Sequence, residues 1–160
     1  MKKIFVAEDA KELSKELHKF GKQIVLAGGC FDILHIGHLT FLESAKRQGD
    51  TLIILLESDE TIKKSKGDKR PINLQSDRAK LLAAFSAVDY VILLNPQMSN
   101  ISYDDLVIAL KPAIIATTQG DSNRHHKERQ AKQIGSQVID VTTQISDTST
   151  TKLVNLLNEL

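Results

Sequence analysis

The chain has 160 residues, 41% apolar and 26% charged, with a formal net charge of +1. That length suits one domain with a real core and leaves no room for a second, and the near-neutral balance excludes a global field directed at nucleic acid or at an anionic membrane. A single cysteine excludes an internal disulfide and argues against a cysteine-based metal site, in keeping with a reducing compartment.

The N-terminus reads MKKIFVAEDAKELSK, whose apolar run, Ile4 to Ala7, is too short for a signal peptide and is followed by acids. No stretch approaches the ~20 apolar residues of a spanning helix, so a cytoplasmic protein without a membrane or nucleic-acid partner is expected. Asp9 can cap a helix over residues 10 to 20, with Leu13, Leu17 and Phe20 on one side, and residues 1 to 22 form a helical lead-in. Ile24 to Ala27 reads as a short buried strand ended by a Gly28-Gly29 turn. Leu39, Leu42 and Ala45 predict a helix from about 38 to 47, closed by Gly49-Asp50.

Leu52 to Leu56 is a second strand, and residues 59 to 72 read as a polar loop. The next helix, Leu74 to Phe85, has Leu74, Leu81, Leu82 and Phe85 as its apolar stripe, interrupted by Arg78. Tyr90 to Leu94 predicts a third strand, Ile101 to Leu110 a helix stopped by Pro112, and Ala113 to Ala116 a fourth strand. A polar-faced helix over 123 to 134 ends near Gly135, and Gln137 to Val141 is a fifth strand. Thr148 or Ser149 can cap a last helix that runs to Glu159 with Leu153, Leu156 and Leu157 inward. Strands alternating with helices imply an α/β, Rossmann-like parallel sheet of roughly five strands with helices on both faces, in a single domain over residues 1 to 160.

Ligands of such sheets bind outside the carboxyl ends of the strands, here the loops 28–37, 57–73, 95–100, 117–122 and 142–148. The first of these lies in AGGCFDILHIGHLTFLESAKRQGD, residues 27 to 50. Gly28 and Gly29 allow backbone N–H groups to approach a ligand. The start of the following helix supplies free N–H groups and a positive dipole end, and Gly37 leaves room for a phosphate there. His35 and His38, three residues apart, can both point into that space. Lys46, eight positions beyond His38 or about two helical turns, can share the same face. The assembly suits a polyphosphate whose charge rises in a transition state. Zinc is the alternative use of the pair, but the chain offers no convincing third ligand, so no protein-held metal is expected.

The segment GCFDILHIGH resembles the nucleotidyltransferase superfamily that carries the H-x-G-H signature, the cytidylyltransferase-like group. FLESAKRQGDTLIILLESDETIKKSKGDKRPIN and RAKLLAAFSAVDYVI are similar to the adenylyltransferases of D-glycero-β-D-manno-heptose 1-phosphate, and ISDTSTTKL resembles their Ser/Thr-rich segment before the last helix. The resemblance spans about residues 10 to 158, and KGDKRP points to the heptose-type branch. It implies attack of a sugar-phosphate oxygen on the α-phosphorus of ATP, or alternatively CTP, with Mg²⁺ assisting and pyrophosphate leaving. His35 and His38 then stabilise developing charge, and Lys46 contacts phosphate. Phe31, Gly28 and the Gly29-Cys30 backbone lie along the nucleotide. Asp32 binds the acceptor or orients a metal-bound water. The Cys30 thiol has no part, and a homodimer is implied. Glycerol-3-phosphate cytidylyltransferase, pantetheine-phosphate adenylyltransferase and a non-catalytic nucleotide-binding module are the alternatives. VTTQISDTSTTK lacks the arginine that the cytidylyltransferases usually place before the Ser/Thr segment.

Other loops supply supporting candidates. KKSKGDKRP holds Lys63, Lys64, Lys66, Lys69 and Arg70, either a solvated loop or a flap over phosphates, with Arg70 as the specific phosphate contact. Arg78 reaches the same site or forms a surface ion pair with Asp77 or Asp89. Thr148, Ser149 and Thr150 are candidates for the β- and γ-phosphates or the base edge. In ATTQGD, residues 116 to 121, Thr117 stands where the heptose-type pattern V-K-G-G-D has its lysine and Gln119 replaces a glycine. Asp121 keeps the acidic position near ribose and base. His125 and His126 are adjacent, a poor metal pair, and read as surface residues, as does His18.

Overall fold

The computed structural model describes residues 2–96, 98–143 and 154. Its core is a parallel six-stranded sheet: β1 (Ile4–Val6), β2 (Ile24–Gly29), β3 (Thr51–Leu56), β4 (Tyr90–Leu93), β5 (Ile114–Thr118) and β6 (Gln137–Thr142). The order across the sheet is β1-β4-β3-β2-β5-β6, and every pairing is parallel. The connecting helices are α1 (Ala10–Lys19), α2 (Ile36–Lys46), α3 (Asp59–Lys66), α4 (Gln75–Ala84), α5 (Asn100–Leu110) and α6 (Arg124–Ile134).

Strand alternation sorts the apolar residues into two layers. Val25, Ala27, Leu52, Ile54, Leu56 and Val91 face α2 and α4, where they meet Leu42, Ala45, Ala79 and Leu82. Ile24, Leu26, Ile53, Leu55 and Ile92 face the other way, against Leu13 and Leu17 of α1, Leu106 and Leu110 of α5, and Ala131 of α6. All six residues of β3 are buried, as expected for a central strand covered on both faces. The chain builds outward from β2 through β3 to β4, then returns to the other side of β2 with β5. The reversal lies between β2 and β5, the switch point where ligands of open α/β sheets bind.

The structure corrects several sequence expectations. The sheet has six strands rather than five, because Ile4–Val6 pairs with β4 at an edge, too short a run to show a period of two. Phe20 is 69% exposed and lies off the buried face of α1, and Asp9 sits at its N-terminus without a side-chain capping bond. Gly28 and Gly29 do not form a turn: they are the last residues of β2, paired with Leu55 and Leu56. The chain turns instead at Phe31, whose φ of 45° is left-handed and whose ring is buried.

Residues 59 to 66 form α3 rather than loop, with Ser58 accepting from the Thr61 N–H as N-cap and Asp59 and Glu60 in the first turn. On α4 the expected stripe is displaced. Leu74 and Leu81 are exposed, whereas Arg78 is fully buried beside Ala79 and Leu82. Thr148, Ser149, Thr150 and nearly all of the last helix lie outside the described residues. Among the described residues no helix is long and apolar enough to cross a membrane.

Candidate active site

The β2 exit leads directly into α2. His35 occupies the N-cap position in extended conformation, φ −143° and ψ 173°, but its side chain makes no capping bond. The imidazole is therefore free for other work, and the first N–H groups of α2 lack intrahelical acceptors. His38, one turn on, stacks against it with ring centroids 3.9 Å apart and lies 5.2 Å from the Phe31 ring. Both Nδ1 atoms are buried without a hydrogen-bond partner. Burial lowers the pKa of His35. Burial first, then the charges of His35 and Lys66, push His38 down to about 4. In the free protein at neutral pH the pair is uncharged and holds unused polar atoms beside a helix N-terminus, an arrangement that fits an anionic ligand.

Asp32 is not open to a ligand. It is 1% exposed. Its carboxylate accepts from Arg70 Nε at 2.7 Å and from the N–H groups of Ile72 and Asn73 at 2.9 Å, and Asn73 Nδ2 donates back to the Asp32 carbonyl. Burial pushes its pKa up, but the Asn73 and Ile72 N–H groups and Arg70 together hold it below the ordinary carboxylate value. The expected acceptor-binding role is therefore corrected to a clamp between the β2 exit and the segment before α4. Arg70 is 7% exposed and half committed: Nε is bound to Asp32 while Nη2 is buried without a partner.

Arg78 is a second clamp, in place of the expected phosphate contact or surface pair. Its guanidinium donates to the carbonyls of Asn73, Cys30 and Glu57 and to the Asp59 carboxylate at 2.7 Å. Three chain segments at the carboxyl edge meet on this one fork.

Lys46 is not brought to the site. It sits about 12 Å along the α2 axis from His38. Its ammonium donates to the Asp50 carbonyl and pairs with Asp89 at 2.6 Å, beside the start of β4 and thus at the opposite edge of the sheet. The spacing does place the two on one helical face, but the side chain is drawn the other way.

On the α5–α6 side of the β2 end the structure opens a cleft of about 560 Å³. Gly28, Gly29 and Cys30 form one wall, Glu57 and Lys66 another, and Tyr103, Asp121, Lys127 and Gln130 close it. A side chain at Gly28 would press its Cβ to 3.0 Å from the Tyr103 hydroxyl, and one at Gly29 to 3.1 Å from the Phe31 ring. The glycines are thus favoured by close packing around the cleft rather than by a turn. Asp121 accepts from Thr117 Oγ1 at 2.7 Å, from Lys127 Nζ at 2.6 Å and from the Asn123 N–H. Burial raises the pKa of the Cys30 thiol.

Gly28, Gly29, Cys30 and Asp121 meet at the cleft. His35, Gly37 and His38 lie on the adjoining turn, and Phe31 links the two through its contact with His38. Sequence reasoning missed Tyr103, Lys127 and Glu57. Tyr103 shows only as one residue of an amphipathic helix, and Lys127 is hidden in the polar run NRHHKER. His125 and His126 are exposed and stack on each other at 3.9 Å, as surface residues would, although His126 also reaches the cleft rim. His18 is exposed.

A model of the cytidylyltransferase-like family matches residues 26–156. The bifunctional protein HldE of a Nitratiruptor species is 49% identical over 108 residues, 68% of this chain and 22% of that protein. That of Helicobacter pylori (strain J99) is 46% identical over 105 residues, 66% of this chain and 22% of that protein. The chain thus spans about a fifth of the length of these relatives. Among solved structures, the lipopolysaccharide core biosynthesis protein of Thermoplasma volcanium GSS1 superposes with a TM-score of 0.62 at 28% identity, covering 81% of this chain and all of that one. The pantoate–beta-alanine ligase of Francisella tularensis shares the fold alone: TM-score 0.65 at 15% identity, covering all of this chain and 79% of that one.

Proposed function

Because the chain belongs to the cytidylyltransferase-like family, we propose that it is a nucleotidyltransferase that joins the nucleoside monophosphate of ATP to a sugar phosphate, D-glycero-β-D-manno-heptose 1-phosphate, and releases pyrophosphate. The observation that carries this reading is the stacked His35–His38 pair, with both Nδ1 atoms buried and unpartnered at the N-terminus of α2. The similarity to the HldE proteins over 105 to 108 residues supports the choice of acceptor, in line with the KGDKRP segment.

In this reading an acceptor phosphate oxygen attacks the α-phosphorus. A new P–O bond forms as the bond to the β-phosphate oxygen breaks, and its electrons leave with pyrophosphate. The protein contributes position and charge stabilisation rather than a covalent intermediate. His35 and His38 donate hydrogen bonds to the phosphate oxygens, aided by the first N–H groups of α2. Arg70 Nη2, held in place through Asp32, offers a further donor. Gly28 and Gly29 keep the β2 end bare so that the substrate backbone can approach.

Mg²⁺ supplies charge neutralisation on a triphosphate. The described residues hold no cluster of three or more His, Cys, Asp or Glu side chains able to cage an ion, and Asp32 and Asp121 are already bound to cations. In this proposal the ion would enter with the nucleotide phosphates. A cytoplasmic homodimer is part of the proposal.

The test is pyrophosphate release across a matrix of ATP and CTP against heptose 1-phosphate, glycerol 3-phosphate and pantetheine phosphate. Release is expected with ATP and the heptose phosphate. Tight nucleotide binding with no release in any pair would replace the enzyme reading with that of a nucleotide-binding module.

A further inference from the structure

Near the end of β5 this chain has Thr117 where the heptose-type pattern that it resembles has a lysine. Thr117 is fully buried, and its Oγ1 accepts from Lys127 Nζ at 2.9 Å while donating to Asp121 at 2.7 Å. Lys127 comes from the first turn of α6 and reaches back to the end of β5. It meets Asp121 at 2.6 Å with only about a fifth of each side chain exposed, at 21% and 19%. An ammonium has three donors, and these contacts use two.

We infer that Lys127 is a substrate-binding cation of this site: its third N–H takes an anionic phosphate oxygen in the cleft, reaching from α6 the place a lysine on the β5 end would occupy. The inference rests on the nucleotidyltransferase reading and deepens it.

Three observations carry it. Lys127 lines the cleft beside Gly28 and Gly29 at the switch point of the sheet, where substrates of this architecture lie. The neighbouring cation Arg129 is paired through both terminal nitrogens with Asp104 and is half exposed, whereas Lys127 is enclosed at the cleft. Burial alone would push the Asp121 carboxyl up, but Lys127, Thr117 and the Asn123 N–H outweigh it and keep it ionised. The ammonium is therefore held in one place before any ligand arrives, which removes the entropy cost of fixing a lysine side chain on binding.

The phosphate could come from the nucleotide or from the sugar phosphate, and the experiment separates the two. ATP and D-glycero-β-D-manno-heptose 1-phosphate are titrated separately, by calorimetry, into the wild-type chain, Lys127→Met, Lys127→Arg and the exchange variant Thr117→Lys/Lys127→Met. Circular dichroism and Tm verify that each is folded. Losing a charge-assisted hydrogen bond should weaken one of the two ligands by about ten- to hundredfold in Lys127→Met. Lys127→Arg keeps the charge but changes its shape and should recover the loss only in part, whereas the exchange variant should recover most of it. The ligand affected identifies the source of the phosphate.

Unchanged affinities for both ligands in folded Lys127→Met would overturn the inference and leave a structural ion pair. So would a loss that the exchange variant does not recover. Pyrophosphate release with Lys127-independent binding would sink this inference alone. Lys127-dependent binding without release would sink the enzyme reading alone.

Discussion

Replacing Asp32 by alanine should unfold the site-bearing edge rather than weaken a substrate. The carboxylate is 1% exposed and receives Arg70 Nε and the N–H groups of Ile72 and Asn73. Its removal leaves a guanidinium at 7% exposure and two backbone donors without their acceptor. Breaking a buried pair from one side costs about 3–5 kcal/mol. For a chain of this size that is a fall of about 6–20 °C in Tm. Urea unfolding at pH 7 measures the difference directly. The sign of the pH dependence follows from the depressed pKa of Asp32 in the folded chain. The unfolded chain takes up the proton first as pH falls, so the contribution is present above the unfolded value, about 3.9, and lost as pH drops through the folded one. The gap between wild type and Asp32→Ala should therefore narrow below about pH 4. A variant within about 1 kcal/mol of wild type at pH 7, with a raised KM for the sugar phosphate, would refute the clamp and restore Asp32 as an acceptor ligand.

Lys46→Met should leave kcat and both KM values unchanged and cost no more than about 1 kcal/mol in urea, since its pair with Asp89 is about 30% exposed; a tenfold loss of kcat would put Lys46 back in the site. His38, held near pKa 4 against an ordinary 6.5, leaves the unfolded chain binding more protons across that window. Stability should rise with pH between those values, and His38→Gln should flatten the rise. The same variant should lose turnover by about two to four orders of magnitude while staying folded. Calorimetry of ATP binding at pH 6 in buffers of different ionisation enthalpy should report proton uptake, because phosphate charge raises the imidazole pKa; zero uptake would contradict a phosphate beside His38.

The parts of this molecule legible in the sequence are those fixed by periodicity. β3 reads as a buried strand because all six of its residues are apolar or small and enclosed on both faces. The end of α6 is legible to within a residue because Gly135 adopts the left-handed conformation that ends helices. The His35–His38 turn is legible because glycines, histidines and a helix start are contiguous. What the sequence hides is set by long-range polar contacts. Arg78 breaks an apolar pattern, which suggests a surface residue, yet three acceptors from distant segments and the nearby Asn73 carbonyl make its burial possible. Lys46 looks like a site residue from its spacing along one helix and Asp32 from the family resemblance, while their partners, Asp89 and Arg70, lie 43 and 38 residues away. Lys127 carries no local signal, because its meaning depends on the buried hydroxyl of Thr117.

The two clamping arginines also explain how the site edge stays ordered without an apolar core. Loops leaving the carboxyl ends of parallel strands expose carbonyls that no ladder satisfies, and a substrate cleft requires them to remain near water. Leucines placed there would fill the cleft. A guanidinium instead offers five donors in a rigid plane. Arg78 spends its fork on three carbonyls and Asp59, and Arg70 ties Asp32 to the chain before α4. Each clamp bears on a residue next to the turn that leads into α2: Cys30 for Arg78, Asp32 for Arg70. The left-handed Phe31 lies between them, so the backbone that delivers His35 and His38 is held on both sides of its least favourable residue. The histidines can then remain uncharged with their Nδ1 atoms unpartnered, because their placement does not depend on hydrogen bonds of their own.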